Sequence, residues 1–139
     1  MNGAALATAT FLAMEGVTYA VHRWVMHGPG MVWHRSHHER RTGTFERNDL
    51  FPLCFASVGV VLFALHVWPV AIGVTAYGAA YLAVHEVFVH RRVRWNLPRN
   101  AYLDWLRESH RLHHAFGGEP YGMLLPVLRA SARTARARL

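Results

Sequence analysis

The sequence predicts an all-α integral membrane helical bundle, with three to four membrane-embedded helices and a cytoplasmic, histidine-rich site for two metal ions. Three observations predict this fold: long apolar stretches, arginines confined to the segments between them, and histidines that recur at fixed spacings. Of the 139 residues, 53% are hydrophobic and only 17% are charged, which is more apolar than a typical soluble domain. The length suits one domain, so residues 1–139 are predicted to form a single unit in which 128–139 are a basic tail.

Three apolar stretches account for the predicted spans. Residues 3–21 contain one charge, at Glu15, whereas residues 51–68 and 70–84 contain none. As a helix, the second stretch would be about 27 Å long, close to the thickness of a bilayer core. The alternative, a set of buried helices in a soluble protein, is not favoured because so short a chain cannot easily cover them. The segment "YGMLLPVL", residues 121–128, is a candidate for a fourth, partial insertion.

The connections between the spans predict which residues meet on each side of the membrane. A polar segment, residues 22–50, joins the first span to the second, and a short turn at Pro69 joins the second to the third. The third span therefore returns His85 and His90 to the side where the first span ended. Three tryptophans lie near predicted span ends, where interfacial aromatic residues are common: Trp24, Trp68 and Trp95. His66 lies on the side of the membrane opposite to the other histidines and is interpreted as an interfacial residue.

The basic residues predict the orientation. All fifteen are arginines, and all fall on the side where the first span ends. The positive-inside rule assigns that side to the cytoplasm. A net charge of +7 is also typical of nucleic-acid binding, but the arginines avoid the apolar stretches completely. We therefore expect no nucleic-acid partner, and we expect the basic tail to contact anionic membrane lipid.

Ten of the eleven histidines fall into four boxes on the predicted cytoplasmic side. A pair followed by a triplet occurs twice, which suggests a doubled half-site. The boxes are His22 and His27; His34, His37 and His38; His85 and His90; and His110, His113 and His114. Positions i, i+3 and i+4 share one helix face, so each triplet is predicted to aim three imidazoles at one point. Positions i and i+5 differ by roughly 140° on an ideal helix, so the helix is expected to end or distort at each pair.

Clustered neutral imidazoles predict metal binding, because imidazole is the commonest protein metal ligand. Ten of them exceed the needs of one ion, and two ions with about five nitrogens each fit better. Imidazole accepts zinc, copper, nickel and iron, but a structural zinc site closes with four ligands. The surplus favours a catalytic pair of redox metals, and we favour iron, with zinc able to replace it in purified protein. The non-metal alternative, structural or titrating histidines, does not explain four spaced boxes.

Two further features accompany the boxes: a stretch that resembles a protease motif, and a set of carboxylates. The stretch "HEVFVH" resembles the zinc-protease helix motif, but three residues separate Glu86 from His90 where that motif needs two. On an ideal helix this spacing breaks the shared face, so a protease is not favoured. Seven carboxylates are available to orient the imidazoles through their free ring nitrogens. They are Glu39 and Glu46, and the five favoured candidates Glu15, Asp49, Glu86, Asp104 and Glu108. Glu15 stands out because an acid within a span is a functional candidate by default; a buried hydrogen bond or an ion pair with Arg23 is the alternative.

The four boxes, HX4H, HX2HH, HX4H and HX2HH in this order, resemble the membrane fatty-acid hydroxylase superfamily, whose members use a histidine-bound di-iron centre. A finer resemblance is to β-carotene hydroxylases. It covers residues 15–126 and rests on "HRWVMHG", "WHRSHHE", "GTFERND", "VHEVFVH", "HRLHHA" and "PYGMLLP". The third box departs from that family, since Glu86 and Val87 stand where it has Asp-Gly.

The resemblance implies a carotenoid β-ring 3-hydroxylase that converts β-carotene to zeaxanthin through cryptoxanthin, using O2 and two electrons. It implies that the ten box histidines ligate two irons and that no other side chain is catalytic. The carotenoid would come from the lipid phase into an apolar cleft among the spans. No flavin or NAD motif is present, so the electrons must come from elsewhere, and the resemblance implies a ferredoxin-type donor. The alternatives are a fatty-acid or sterol hydroxylase or desaturase of the same superfamily, and a metal-binding membrane protein without catalysis.

Overall fold

A computed structural model describes residues 2–39, 43, 45–93 and 100–126. Over these residues the chain forms five α-helices, two π-helical stretches and one 3-10 turn, with no strand. They are α1 (Gly3–Ala20), which continues as a π-helix (Val21–Met26), α2 (Met31–His38), the 3-10 turn (Arg47–Asp49), α3 (Leu50–Ala64), α4 (Trp68–Tyr81), which continues as a second π-helix (Leu82–Val89), and α5 (Ala101–Phe116). The all-α prediction is confirmed.

Three helical segments are long and apolar enough to cross a membrane: Gly3–Met26, Arg47–Ala64 and Trp68–Val89. Large apolar side chains on them stay exposed, as for Leu12 (66%) and Val60 (67%). Because such exposed apolar faces suit lipid rather than water, the protein is a membrane protein, with three candidate spans among the described residues. The candidate fourth insertion is different. Its described part, residues 121–126, is not helical.

Helix α4 lies between α1 and α3 and packs against both. Met14, Val74 and Tyr77 form the buried core of this layer, and the rings of Phe11 and Tyr77 meet edge to face with centroids 5.7 Å apart. A Cβ at Gly73 would lie 2.6 Å from the carbonyl oxygen of Ala7 on α1. The small residue at this position of the third span therefore allows close helix packing.

The two ends of the bundle differ in composition. The α3–α4 turn carries His66, whose ring contacts Trp68, whereas the other ten histidines lie at the opposite end. The described arginines also belong to segments at the histidine end: Arg23, Arg35, Arg47, Arg91, Arg92, Arg107 and Arg111. The prediction that two distant stretches of chain converge is confirmed. Trp95, the basic tail 128–139 and the remaining eight arginines lie outside the described residues, and the single-domain interpretation stays a prediction.

Candidate metal centre

The histidines of the four boxes form two adjacent clusters, within each of which the ligand atoms lie within 4.8 Å of one another. The first cluster consists of His22, His27, His34, His38 and His113, and the second of His37, His85, His90 and His110. His114 lies beside both. Its ring is stacked 4.3 Å from that of His38 and lies 4.4 Å from that of His110.

Both HX4H pairs sit at π-helical turns. The backbone N–H of His27 donates to the carbonyl of His22 at 3.0 Å, and that of His90 donates to His85 at 2.9 Å. A hydrogen bond from residue i+5 to residue i defines a π-helix, and it brings the two histidines of each pair onto one face. The expected distortion is therefore confirmed. His85 and His90 therefore share a face. The prediction that their spacing breaks the shared face was wrong, because it assumed an ideal α-helix.

Each triplet is divided between the two clusters. His34 and His38 contribute to the first cluster while His37 contributes to the second; His113 contributes to the first and His110 to the second. Along a helix each residue turns by about 100°, so positions i+3 and i+4 lie on opposite sides of position i. The prediction that a triplet aims at one point was therefore wrong. The first two boxes therefore do not form one cluster and the last two boxes the other. Each cluster contains histidines from both halves of the sequence.

Backbone and side-chain oxygens orient the rings of the first cluster. The Nδ1 atoms of His22 and His113 lie 2.9 Å and 2.6 Å from the carbonyl oxygens of Tyr121 and Gly118. Nδ1 of His34 lies 2.7 Å from Oδ1 of Asn48. An oxygen acceptor requires a proton on Nδ1, so each neutral ring presents the lone pair of Nε2 to the cluster. This is the arrangement in which metal-ligating histidines are held.

The contacts between these lone pairs fit a metal ion. Nε2 of His22 lies 3.2 Å from Nε2 of His34, although both rings already carry their proton on Nδ1. Two unprotonated nitrogens repel at that distance unless a cation lies between them. Two nitrogens that bind one ion at about 2.0–2.1 Å are about 3.0–3.4 Å apart. Nε2 of His27 and His113 are likewise 3.0 Å apart, so the residues fit a bound metal.

Burial keeps the cluster rings neutral. Desolvation lowers the pKa of His34 to about 3 and that of His113 to about 3, although each hydrogen bond at Nδ1 opposes the shift. Burial followed by the neighbouring rings of His37 and His38 lowers the pKa of His114 to about 2. Its Nε2 is buried and has no hydrogen-bond partner among the described residues. Neutral imidazole with a free lone pair is the form that binds metal.

A charged network supports the second cluster. Nδ1 of His37 lies 3.3 Å from a carboxylate oxygen of Glu46. Arg92 donates to both carboxylate oxygens of Asp49, at 2.6 and 2.7 Å, and to Glu86 at 2.9 Å. Asp49 in turn accepts the backbone N–H of Glu46 at 2.9 Å. The segment 46–49 thus orients one histidine of each cluster, and Arg92 holds that segment in place.

The five candidate carboxylates have different surroundings. Glu86 lies 3.9 Å from Nε2 of His85, and Asp49 reaches the clusters only through the 46–49 segment. Glu108 pairs with Arg111 on the exposed side of α5, and Asp104 lies in its first turn. Glu15 accepts hydrogen bonds from Tyr77 and from the loop at residues 123–125. Its possible partner Arg23 pairs instead with Glu119 at 3.0 Å.

Sequence reasoning missed several residues that orient the histidines. Asn48 belongs to the quoted "GTFERND" stretch, but the sequence predicts no role for its amide. Glu46 of the same stretch is among the available carboxylates, but its target His37 is not predicted. Glu119, which fixes the loop after α5, is not among the predicted carboxylates. The carbonyl groups of Gly118 and Tyr121 carry no signal in the side-chain sequence.

Replacing Asn48 by alanine is expected to weaken metal binding by roughly 10–100-fold, the usual effect of losing the partner of a ligating imidazole. Asn48 is 2% exposed, so water cannot readily substitute for its Oδ1, and the Nδ1–H of His34 is left without an acceptor. Metal affinity measured by competition with a chelator would test this. Asn48→Asp keeps an acceptor oxygen and is the control. Unchanged affinity in Asn48→Ala would contradict the role.

An apolar cleft opens beside the clusters, with a volume of about 650 Å³. It lies among α1, α3 and α4, with Met14, Phe55 and Val74 in its walls, and reaches Tyr81 at the histidine end. The ring of Tyr81 stacks on that of His85, with centroids 4.8 Å apart, and its hydroxyl donates to Glu86 at 3.0 Å. Tyr81 therefore connects the cleft with the second cluster.

Comparisons with known proteins agree with this geometry. Residues 7–133 match the fatty acid hydroxylase family. A "Beta-carotene hydroxylase" of a Paracoccus species is 42% identical over 129 residues, which cover 87% of this chain and 80% of the relative. One from Pseudescherichia vulneris is 47% identical, covering 77% of this chain and 65% of its own. A chloroplastic "Beta-carotene 3-hydroxylase 2" of Arabidopsis thaliana is 32% identical, over 87% and 44% of the two chains. No solved structure matches.

Proposed function

The chain belongs to the fatty acid hydroxylase family, and from that premise we propose that it is a carotenoid β-ring 3-hydroxylase, which converts β-carotene to zeaxanthin through cryptoxanthin. The observation that carries the proposal is an apolar cleft lined by Tyr81, whose ring stacks on His85 of a histidine cluster that fits a metal ion. The names of its bacterial and plant relatives support the same substrate class. The protein is an oxidoreductase that uses metal, and the substrate, the iron and the oxygen chemistry are the proposal.

The proposed cofactor is a pair of iron ions, one in each cluster. The five histidines of the first cluster would hold one ion, and the four of the second would hold the other. His114 would join the second cluster, because it shares a side of α5 with His110 and has a buried, unpartnered Nε2. Hydroxylation of an unactivated C–H bond needs a strong oxidant, which bound iron would supply with O2 as co-substrate. Histidine ligands would also accept zinc in purified protein.

The chain's own residues would bind and orient the substrate. The cleft lining runs along α3 from Phe51 to Phe63, about 18 Å at 1.5 Å per residue. This dry, elongated space suits part of a polyene that arrives from the lipid phase, with one ring at the histidine end. Tyr81 lies where that ring would stop, beside His85, so it would set the distance from the ring to the metals. The exclusion of water by these apolar walls protects the reacting carbon from side reactions.

Product analysis is the test of this function. Bacterial cells that accumulate β-carotene would express the chain during incubation with isotopically labelled oxygen. The pigments would then be extracted and separated by chromatography, and their label would be measured. We expect cryptoxanthin and zeaxanthin that carry the label. If labelled acyl or sterol products formed instead, the protein would be another hydroxylase of the superfamily. Unlabelled products with a new double bond would indicate a desaturase, because both oxygen atoms of O2 then leave as water. If neither hydroxylated nor desaturated product formed while metal was retained, a non-catalytic metal protein would be indicated.

The proposed membrane arrangement places the histidine end in the cytoplasm of a bacterium, with the spans in its inner membrane. The arginine-rich segments support this orientation, since basic residues favour the cytoplasmic side, and they would also contact anionic lipid headgroups. We further propose a ferredoxin-type donor and no nucleic-acid partner. An acidic electron carrier would be attracted to such a face.

Raising the salt concentration is expected to slow reduction of the metal centre by the donor, because ions screen attraction between charged surfaces. Stopped-flow absorbance would measure the reduction rate across ionic strengths at fixed donor concentration. A small neutral reductant is the control and should show little dependence. A rate that is flat with salt for the protein donor would reject electrostatic attraction and leave the arginines to topology and lipid contact.

A further inference from the structure

Glu15 lies in the apolar first span, seven residues before the nearest metal-binding histidine. Its Oε1 accepts the backbone N–H groups of Met123 and Leu125 at 2.8 and 2.9 Å, and its Oε2 accepts that of Leu124 at 3.0 Å. The hydroxyl of Tyr77 donates to Oε2 at 2.7 Å. A single carboxylate therefore anchors three consecutive peptide groups that belong to no helix and would otherwise lack partners in an apolar environment.

The anchored segment is part of the loop that orients the first cluster. Residues 118–125 follow α5 and supply the carbonyl oxygens that hold two rings, Gly118 for His113 and Tyr121 for His22. The same loop is attached to α1 a second time, because Glu119 accepts hydrogen bonds from Tyr19 and Arg23 at 2.8 and 3.0 Å. The path of the loop thus depends on the first span at two points, at Glu15 and at the partners of Glu119.

Gly122 shows how closely the loop approaches Glu15. A Cβ at this position would lie 2.9 Å from Oε1 of Glu15 and 2.5 Å from the carbonyl oxygen of Leu125. Only glycine leaves room for the carboxylate to reach the peptide groups that follow. The absence of a side chain at Gly122 and the acid at Glu15 are therefore two parts of one arrangement, which joins the first span to the "PYG" stretch.

We propose that Glu15 is a positioning residue for the first histidine cluster, acting through the loop 118–125 on His22 and His113. By fixing the loop, it holds the two carbonyl groups that keep a proton on each Nδ1 and direct each Nε2 toward the ion. The second cluster is oriented by Glu46 and the Arg92 network instead. The role of Glu15 is therefore specific to one of the two ions. The inference rests on the proposed metal centre but does not depend on the carotenoid substrate.

The test is a cobalt(II) titration of the full-length protein in detergent, followed by visible absorption. Two backgrounds separate the sites: His90→Ala with His110→Ala leaves the first cluster intact, and His27→Ala with His38→Ala leaves the second intact. In the first background, Glu15→Gln is expected to weaken cobalt binding by roughly 10–100-fold, as for other partners of ligating histidines. Glu15→Leu, which removes all acceptors, should weaken it more. In the second background, the affinity should change much less, because the described contacts of Glu15 and of the loop 118–125 orient rings of the first cluster only.

Gly73→Ala is the matched control. It introduces a clash between α1 and α4 in the same span as Glu15's partner Tyr77, but it leaves the loop contacts intact. It should not change the ratio of the two affinities. The proposal is overturned if Glu15→Gln leaves the first site unchanged, or if it weakens both sites equally as a general loss of stability would. If Glu15→Leu fails to fold, the Glu15→Gln result decides alone. Because no carotenoid is used, failure here is distinguishable from failure of the proposed activity.

Discussion

Replacing His113 by alanine is expected to abolish hydroxylation, with a loss of turnover above about 100-fold, since losing a mere partner of a ligand already costs roughly 10–100-fold. The side chain is fully buried, its Nδ1 is held by Gly118, and its Nε2 faces that of His27 at 3.0 Å. The substitution removes one nitrogen from the first cluster and leaves an apolar gap that cannot bind metal. Pigment chromatography and metal analysis of the purified protein would measure both effects.

His66→Ala is the matched control for this experiment. His66 lies in the α3–α4 turn, at the opposite end of the bundle, and its ring contacts only Trp68 among the ring contacts of the described residues. We expect product yield and metal content to remain as in the unaltered protein. Retention of substantial turnover in His113→Ala would contradict the assignment of this residue as a ligand.

Replacing Arg92 by leucine is expected to destabilise the protein by about 1–3 kcal/mol, the usual cost of leaving a buried acceptor, here Glu86, without its partner. The side chains of Arg92 and Glu86 are only 16% and 6% exposed, and Asp49 shares the same guanidinium through two hydrogen bonds. Two carboxylates would lose their cation. The 46–49 segment, which orients His34 and His37, would lose its anchor, so metal content should fall as well.

Thermal or denaturant unfolding in detergent would measure the loss of stability in Arg92→Leu. Arg111→Leu is the control, because Arg111 pairs with Glu108 on the exposed side of α5 and such pairs contribute at most about 1 kcal/mol. Arg92→Lys keeps the charge but not the two-pronged contact, so it should be intermediate. Equal stability of Arg92→Leu and Arg111→Leu would show that the network contributes little.

The histidine boxes show which properties of the site follow from the sequence and which require the structure. The membership of the ten histidines, their common end of the bundle and the distortion at each HX4H pair were all predictable, because they follow from spacing and from the order of apolar stretches. The division of each triplet between two clusters was not predicted. The i, i+3 and i+4 rule says that residues share a helix face, but that face is wide enough to contact two neighbouring ions.

The outer partners of the histidines show a second limit. Asn48 and Glu46 lie in a polar stretch whose pattern was noticed, yet their targets, His34 and His37, depend on how the 3-10 turn packs against α2. Glu15 was recognised as unusual from its place in an apolar span. Apart from the Tyr77 hydroxyl, its partners are backbone groups more than a hundred residues away. Every residue has such groups, so no sequence pattern could identify them.

The amino-acid sequence by itself determined three apolar spans, their alternating directions and the gathering of ten imidazoles at one end. Hydrophobicity and chain order are enough to predict which segments cross the bilayer and where they return. The tertiary structure alone decided which ring serves which cluster, which oxygen holds each Nδ1, and that the cleft ends beside His85. These depend on the directions of side chains and the path of a loop at distances of about 3 Å, the range over which hydrogen bonds act, and the linear order of residues does not record them.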